Sequence, residues 1–190
     1  MDAPDSGAGA EERAARTVLA KAIADMGQTT IVDNRAGGNT TIGTHLVARA
    51  APDGYTFTMA TASTVTIHPL LTKAPFDPIN DFAPVIHISN VPLLLVTHPN
   101  VAARTTREFI ALLKAQPNKL NFASSGTGGL IHLTGEMFNQ AAKVKLVHVP
   151  YKGTALFLPE LLKGQIAMAF DTIAPHLPFI KAGKLRGVAV

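Results

Sequence analysis

The residues whose types and spacing could do chemistry are concentrated in one stretch, Asn121-Phe-Ala-Ser-Ser-Gly-Thr-Gly-Gly-Leu-Ile-His-Leu133. A strand-like run there passes into a glycine-rich loop that opens a helix. The first turn of a helix carries unpaired N–H groups and the positive end of the helix dipole. Small residues let an anion approach those donors, and loops of this build hold carboxylates and phosphates. A tight turn with no ligand explains the same residues equally well. Two nucleotide motifs are disfavoured: Ile131 stands where the third Gly of Gly-x-Gly-x-x-Gly falls, and no Gly-Lys-Ser/Thr follows. The candidate ligand-binding residues of the stretch are Ser125, Thr127, Gly128, Gly129 and His132. His132 falls in the first helical turn, where it either touches ligand or bonds nearby backbone and steadies the loop.

Thr61 and Ser63, within Thr61-Ala-Ser-Thr64, hold the equivalent place after another strand-like run, Tyr55 to Ala60. Their hydroxyls either cap the next helix, the commoner role, or bind ligand. Asp171 ends a strand-like run and heads a helix, so a side-chain cap is its default reading beside a ligand-binding one. The seven His residues show no metal spacing, and no Ser-His-Asp order, nucleophile elbow or close carboxylate pair marks a catalytic centre. The absence of Cys excludes disulfides, thiolate metal sites and a thiol nucleophile.

These residues need elements to position them. Glu11 to Met26 places Val18, Leu19, Ala22, Ile23 and Met26 on one helical face, with Gly27 as terminator. Thr29 to Asp33 and Tyr55 to Ala60 read as strands, with a helix around Ile42 to Ala50 and a Pro52-Asp-Gly54 turn between them. Further strands fall at Leu93 to Thr97, Leu120 to Ala123, Lys145 to Val149, Ile166 to Phe170 and Arg186 to Val190. Helices lie at Thr106 to Ala115 and Leu130 to Ala142. This alternation predicts an α/β fold with parallel strands, and the break near Thr97-His-Pro-Asn100 predicts a boundary between residues 1–97 and 98–190.

The bulk composition is that of a globular protein: 47% hydrophobic and 16% charged in 190 residues. The net charge of +4 comes from scattered Lys and Arg with no basic run, so nucleic acid is not an expected partner. No apolar run approaches the ~18 residues that span a bilayer, so no membrane insertion is expected. Met1 to Glu12 is polar and rich in small residues and does not read as a secretory signal. Either the protein stays inside the cell or the signal is absent from this chain.

Several stretches together resemble the Bug-type solute-binding receptors of tripartite tricarboxylate transporters. They are Asn34-Arg35 with Gly37-Gly38-Asn39, Ile42-Gly-Thr44, Ala48 to Tyr55, Asp77-Pro78 with Asp81 to Pro84, and Leu120 to Ser124. Gly126 with Gly128, His132-Leu133, Gly135-Glu136, Val147 to Gly153 and Ile180 to Leu185 continue the series in family order. The resemblance implies a two-lobed periplasmic-binding-protein fold of type II that closes on its ligand. Such receptors grip carboxylates through backbone N–H groups and ordered water. Carried over, the second-lobe loop corresponds to Ser125 to Gly129 with His132, the first-lobe loop to Thr61 to Thr64, and the family aspartate to Asp171.

Three departures stand out. The opening strand and its Pro-Gly-Gly loop are missing, with Gly7 to Glu12 in that place, and the family chain continues past Val190, so an incomplete first lobe is expected. Leu130 and Ile131 stand where the family has small hydroxyls, which points to an acid with an apolar body if either faces the ligand. The resemblance implies a periplasmic monomer that captures a small carboxylate for membrane transporter subunits, without catalysis and without a cofactor. The alternatives are a small α/β enzyme acting on an anionic metabolite, and a binding module for sensing.

Overall fold

The computed structural model describes residues 17, 20–21, 23–25, 27–33, 35 and 41–190. They fall into two compact units. The first holds the described residues through Ser89 with Gly128–Leu130, and the second holds Asn90–Thr127 and Ile131–Val190. The compact units divide at Ser89/Asn90, and Leu93–Thr97 pairs inside the second unit's sheet.

In the first unit the described residues from Thr17 to Asp25 are helical, and Gly27 ends the helix as expected. At φ +80° its N–H bonds the Ala24 carbonyl while the Gln28 N–H reaches back to Ile23, which satisfies two of the carbonyls at the helix end. Val18, Leu19, Ala22 and Met26 lie outside the described residues, as do Asn34 and residues 36–40. Helix α1 spans Thr41–Ala48. A π-helical stretch, Ser63–Ile67, runs directly into the short helix α2, His68–Leu71. Asp53 Oδ1 accepts the Tyr55 N–H across the expected turn, with Gly54 at φ +81°.

The two strands expected in this unit do not form. Thr29 to Asp33 and Tyr55 to Ala60 carry no strand pairing, and Ile31 (88%) and Tyr55 (78%) are largely exposed. A β-branched run becomes a strand only where a neighbour takes up its ladder of N–H and C=O groups. Among the described residues neither run has one.

The second unit is a five-stranded sheet in the order β3-β2-β4-β1-β5. The strands are β1 (Leu93–Thr97), β2 (Asn121–Ser124), β3 (Val147–Pro150), β4 (Met168–Thr172) and β5 (Arg186–Ala189). Its helices are α3 (Thr106–Ala115), α4 (Leu130–Ala142), α5 (Thr154–Leu162) and α6 (Leu177–Lys181). The expectation of parallel strands holds for β2 to β5 only. Strand β1 lies between β4 and β5 and runs antiparallel to both. Alternation along a sequence reports which elements follow one another, and it says nothing about pairing direction.

Alternate side chains split the core into two faces. Leu95, Phe122, Met168 and Phe170 join Phe109, Leu113 and Ile131 on one, while Leu94, Val96, Ala123 and Ala169 join Phe157 and Leu161 on the other. Helices α3 and α4 thus cover one face, and α5 covers the other. Thr105 caps α3 by accepting the Glu108 N–H, and the Glu108 carboxylate accepts the Arg104 N–H, which closes the first turn. No helix among the described residues is long and apolar enough to cross a membrane.

Gly135 sets how closely α4 approaches β2. A Cβ at this position would overlap the ring of Phe122, which is itself fully buried. Gly135→Ala is therefore expected to lose about 1–3 kcal/mol of stability, read from urea unfolding midpoints, although alanine favours a helix.

Candidate functional site

Strands β2, β3 and β4 are mutually parallel, so their C-terminal ends share one edge of the sheet. Three segments leave that edge: Ser125–Gly129 after β2, Tyr151–Gly153 after β3, and the turn after Asp171 and Thr172 at the end of β4. The glycine-rich loop needs glycine at two described points, Gly126 at φ 142° and Gly128 at φ 80°, where a side chain is strained. The loop then delivers the first turn of α4.

Beneath the loop sits a polar cluster that the sequence did not single out as a site. Ser124 is fully buried, and its hydroxyl lies 2.6 Å from His148 Nε2. The same hydroxyl donates to the Gly126 carbonyl at 3.1 Å and accepts the Gly126 N–H at 3.2 Å. The ring of His132, entering from α4, lies against His148 at a centroid distance of 4.0 Å, and Phe122 flanks His148 at 5.0 Å. His132 Nε2 is 3.8 Å from the Glu136 carboxylate one turn along the helix. The contacts of His132 include His148, Phe122 and Glu136. A parallel register with Phe122 opposite His148 puts Phe122, Ser124 and His148 on one face, and that alternation is the signal in the sequence that finds them.

Asp171 is 2% exposed and its oxygens are already engaged. Oδ2 accepts the Thr154 hydroxyl at 2.7 Å and lies 3.0 Å from Nε2 of the fully buried His176; Oδ1 accepts the Thr172 N–H. It ties the end of β4 to the first residue of α5 and to the turn before α6. The sequence reading offered a cap or a ligand contact, and these bonds give Asp171 a bridging role between elements.

In the first unit, Thr61 Oγ1 lies 3.3 Å from Thr64 Oγ1, and the Thr61 carbonyl accepts the Thr64 and Val65 N–H groups. Ser63 Oγ accepts the N–H of Leu130 at 3.1 Å, so one donor of the α4 first turn is satisfied within the protein. Gly128 and Gly129 belong to this unit, whereas Ser125, Thr127, His132 and Asp171 belong to the second. Two cavities of the second unit, of about 400 and 290 Å³, lie elsewhere. Their linings include Asn118 and Lys145, and Arg104 and Arg186, at the N-terminal edge of the sheet. Among the described residues no three His, Cys, Asp or Glu side chains are grouped to hold a metal.

Burial first, and then the neighbouring His132, push the His148 pKa below the usual histidine value, while Glu136 pulls the other way. The unfolded chain therefore binds this proton at a higher pH than the folded one, and stability falls as pH drops below the unfolded value of 6.5. Thermal unfolding between about pH 7.5 and pH 5 is expected to show a falling Tm, with a shallower slope in His148→Gln. Asp171→Ala leaves His176 buried without its partner, so a loss of about 2–4 kcal/mol is expected in urea unfolding.

A family model described as the tripartite tricarboxylate transporter family receptor matches residues 14–190. Protein BugT of Bordetella pertussis is 34% identical over 176 residues, which cover 91% of this chain and 54% of BugT. The fold is similar to that of a solved periplasmic transporter, with a TM-score of 0.87 and 39% identity over 95% of this chain and 61% of the other. It is equally similar to R. palustris Rpa4515, solved with adipate, with a TM-score of 0.88 and 32% identity over 97% of this chain and 62% of the other. The chain thus spans about half the length of BugT and about three fifths of the solved chains. With the family model matched over nearly all of its residues, and with an α/β fold shared with periplasmic binding proteins, the chain belongs to the tripartite tricarboxylate transporter receptor family, as its Bug-type motifs imply.

Proposed function

We propose that this chain is part of a solute-binding receptor that captures a small carboxylate and does no chemistry on it. The observation that carries the reading is the glycine-rich loop at the C-terminal end of β2, which opens directly onto the α4 first turn. In open α/β sheets the strands' carboxyl ends are where ligands bind, and the helix start adds N–H donors and a favourable dipole. Membership of the receptor family and the adipate in Rpa4515 support the same ligand class. The residues before Asn90 would belong to one lobe and Asn90 onward to the other. The receptor would work in the periplasm as a monomer that hands its acid to membrane transporter subunits.

Ser125, Thr127, Gly128 and Gly129 supply the grip, with His132 and Asp171 holding the elements around it. Ser63 fixes the exit of the loop through Leu130. Ile131 is a core residue, 9% exposed, and takes no part in specificity, whereas Leu130 is 36% exposed. If Leu130 faces the ligand, it favours an acid with an apolar body over a polyacid, because a second charge facing it has no partner.

Calorimetric titration with adipate, benzoate, malate and citrate tests the reading. Binding of at least one acid is expected, with adipate or benzoate ahead of citrate. The double variant Ser125→Ala, Thr127→Val should weaken that binding by about tenfold while the fold is retained. Substituting Gly128 is a poorer test, since its positive φ strains any side chain whatever the ligand. Absence of binding by all four acids, or equal affinity in the double variant, would count against the assignment.

A further inference from the structure

The bonds around Ser124 fix more than the shape of one turn. A serine hydroxyl has one proton to donate and two lone pairs to accept with. Here three partners surround a fully buried hydroxyl: the Gly126 carbonyl, the Gly126 N–H and His148 Nε2. The carbonyl can only accept and the amide can only donate. If the serine proton goes to the carbonyl, all three positions fill only when His148 donates its Nε2 proton to Ser124. If the proton goes instead to His148, the part-buried Gly126 carbonyl loses the donor that lies 3.1 Å away, a net loss of one hydrogen bond.

The two rings flanking His148 hold it in place to make that donation. Phe122 on its own sheet face and His132 from α4 leave the imidazole little freedom. The titratable groups near it are His132 and Glu136, both on α4. Burial first, and then His132, disfavour the charged form of His148, so it serves as a neutral donor with its Nε2 proton aimed at Ser124.

We propose that His148 is a positioning residue for the glycine-rich loop: it donates from Nε2 to Ser124, which in turn clamps both polar groups of Gly126 and sets the course of the loop toward α4. The inference rests on the carboxylate-capture reading for its functional meaning, but the clamp itself stands on geometry within one unit.

Two substitutions separate the donor from the ring. His148→Phe keeps an aromatic ring between Phe122 and His132 and removes the N–H, while His148→Gln replaces the ring with an amide that can donate. Long-range ¹H–¹⁵N spectra of the whole chain should show wild-type His148 neutral with its proton on Nε2. Amide exchange at Gly126 should accelerate by about tenfold in His148→Phe and in Ser124→Ala, and return close to wild type in His148→Gln. Adipate affinity should follow the same order. A proton on Nδ1, or equal exchange in the Phe and Gln variants, would overturn the clamp, because mere filling of space or loss of stability does not discriminate between them. If wild type binds none of adipate, benzoate, malate and citrate while the tautomer and exchange results hold, the capture reading fails and the clamp survives.

Discussion

The close seat of α4 on β2 is the constraint from which the rest of the carboxyl edge follows. Phe122 fills the space under Gly135, where no side chain fits, and this brings the helix axis down onto the strand. That contact helps fix where the first turn of α4 directs its N–H groups. The same ring flanks His148, and His132 packs against His148 from the helix above. One aromatic side chain thus couples the packing of the core to the polar cluster beneath the loop. A looser seat would leave the loop's glycines with the freedom that makes glycine costly in an ordered structure.

The sequence makes the second unit legible because its elements are self-contained. Strands β1, β2 and β4 are short runs buried on both faces, and α3 and α4 begin and end at the expected residues. Leu93–Thr97 forms the strand its composition predicts, whereas its antiparallel direction depends on partners far along the chain. The runs Thr29 to Asp33 and Tyr55 to Ala60 show the converse. Their composition suits a strand, but composition supplies no partner, and without one the backbone stays unpaired.

The candidate site was legible in part for the same reason. A glycine-rich loop ahead of a helix is a local signal, and residues 125–129 are where it placed them. Ser124 and His148 are distant in sequence and ordinary in type, so only the parallel register of β2 and β3 brings them together. Asp171 illustrates a different difficulty. A carboxylate at a strand end suits a cap, a ligand contact and an internal bridge alike, and its bonds to Thr154 and His176 come only from the fold. Burying a carboxyl group is costly unless it is hydrogen-bonded, and its partners here come from two separate segments.

The reversed strand β1 has a consequence for how the unit comes into being. It is the first of the five strands to be synthesised, yet both its neighbours, β4 and β5, come from the last quarter of the chain. As the polypeptide emerges from the ribosome, β2 and β3 have each other to pair with, while the apolar run Leu-Leu-Leu-Val-Thr has nothing. Closing so long a loop costs entropy before any ladder bond repays it. For that interval the segment is an unpaired, sticky strand of the kind that chaperones shield. Strand β1 is therefore enclosed only when β4 and β5 arrive on either side of it.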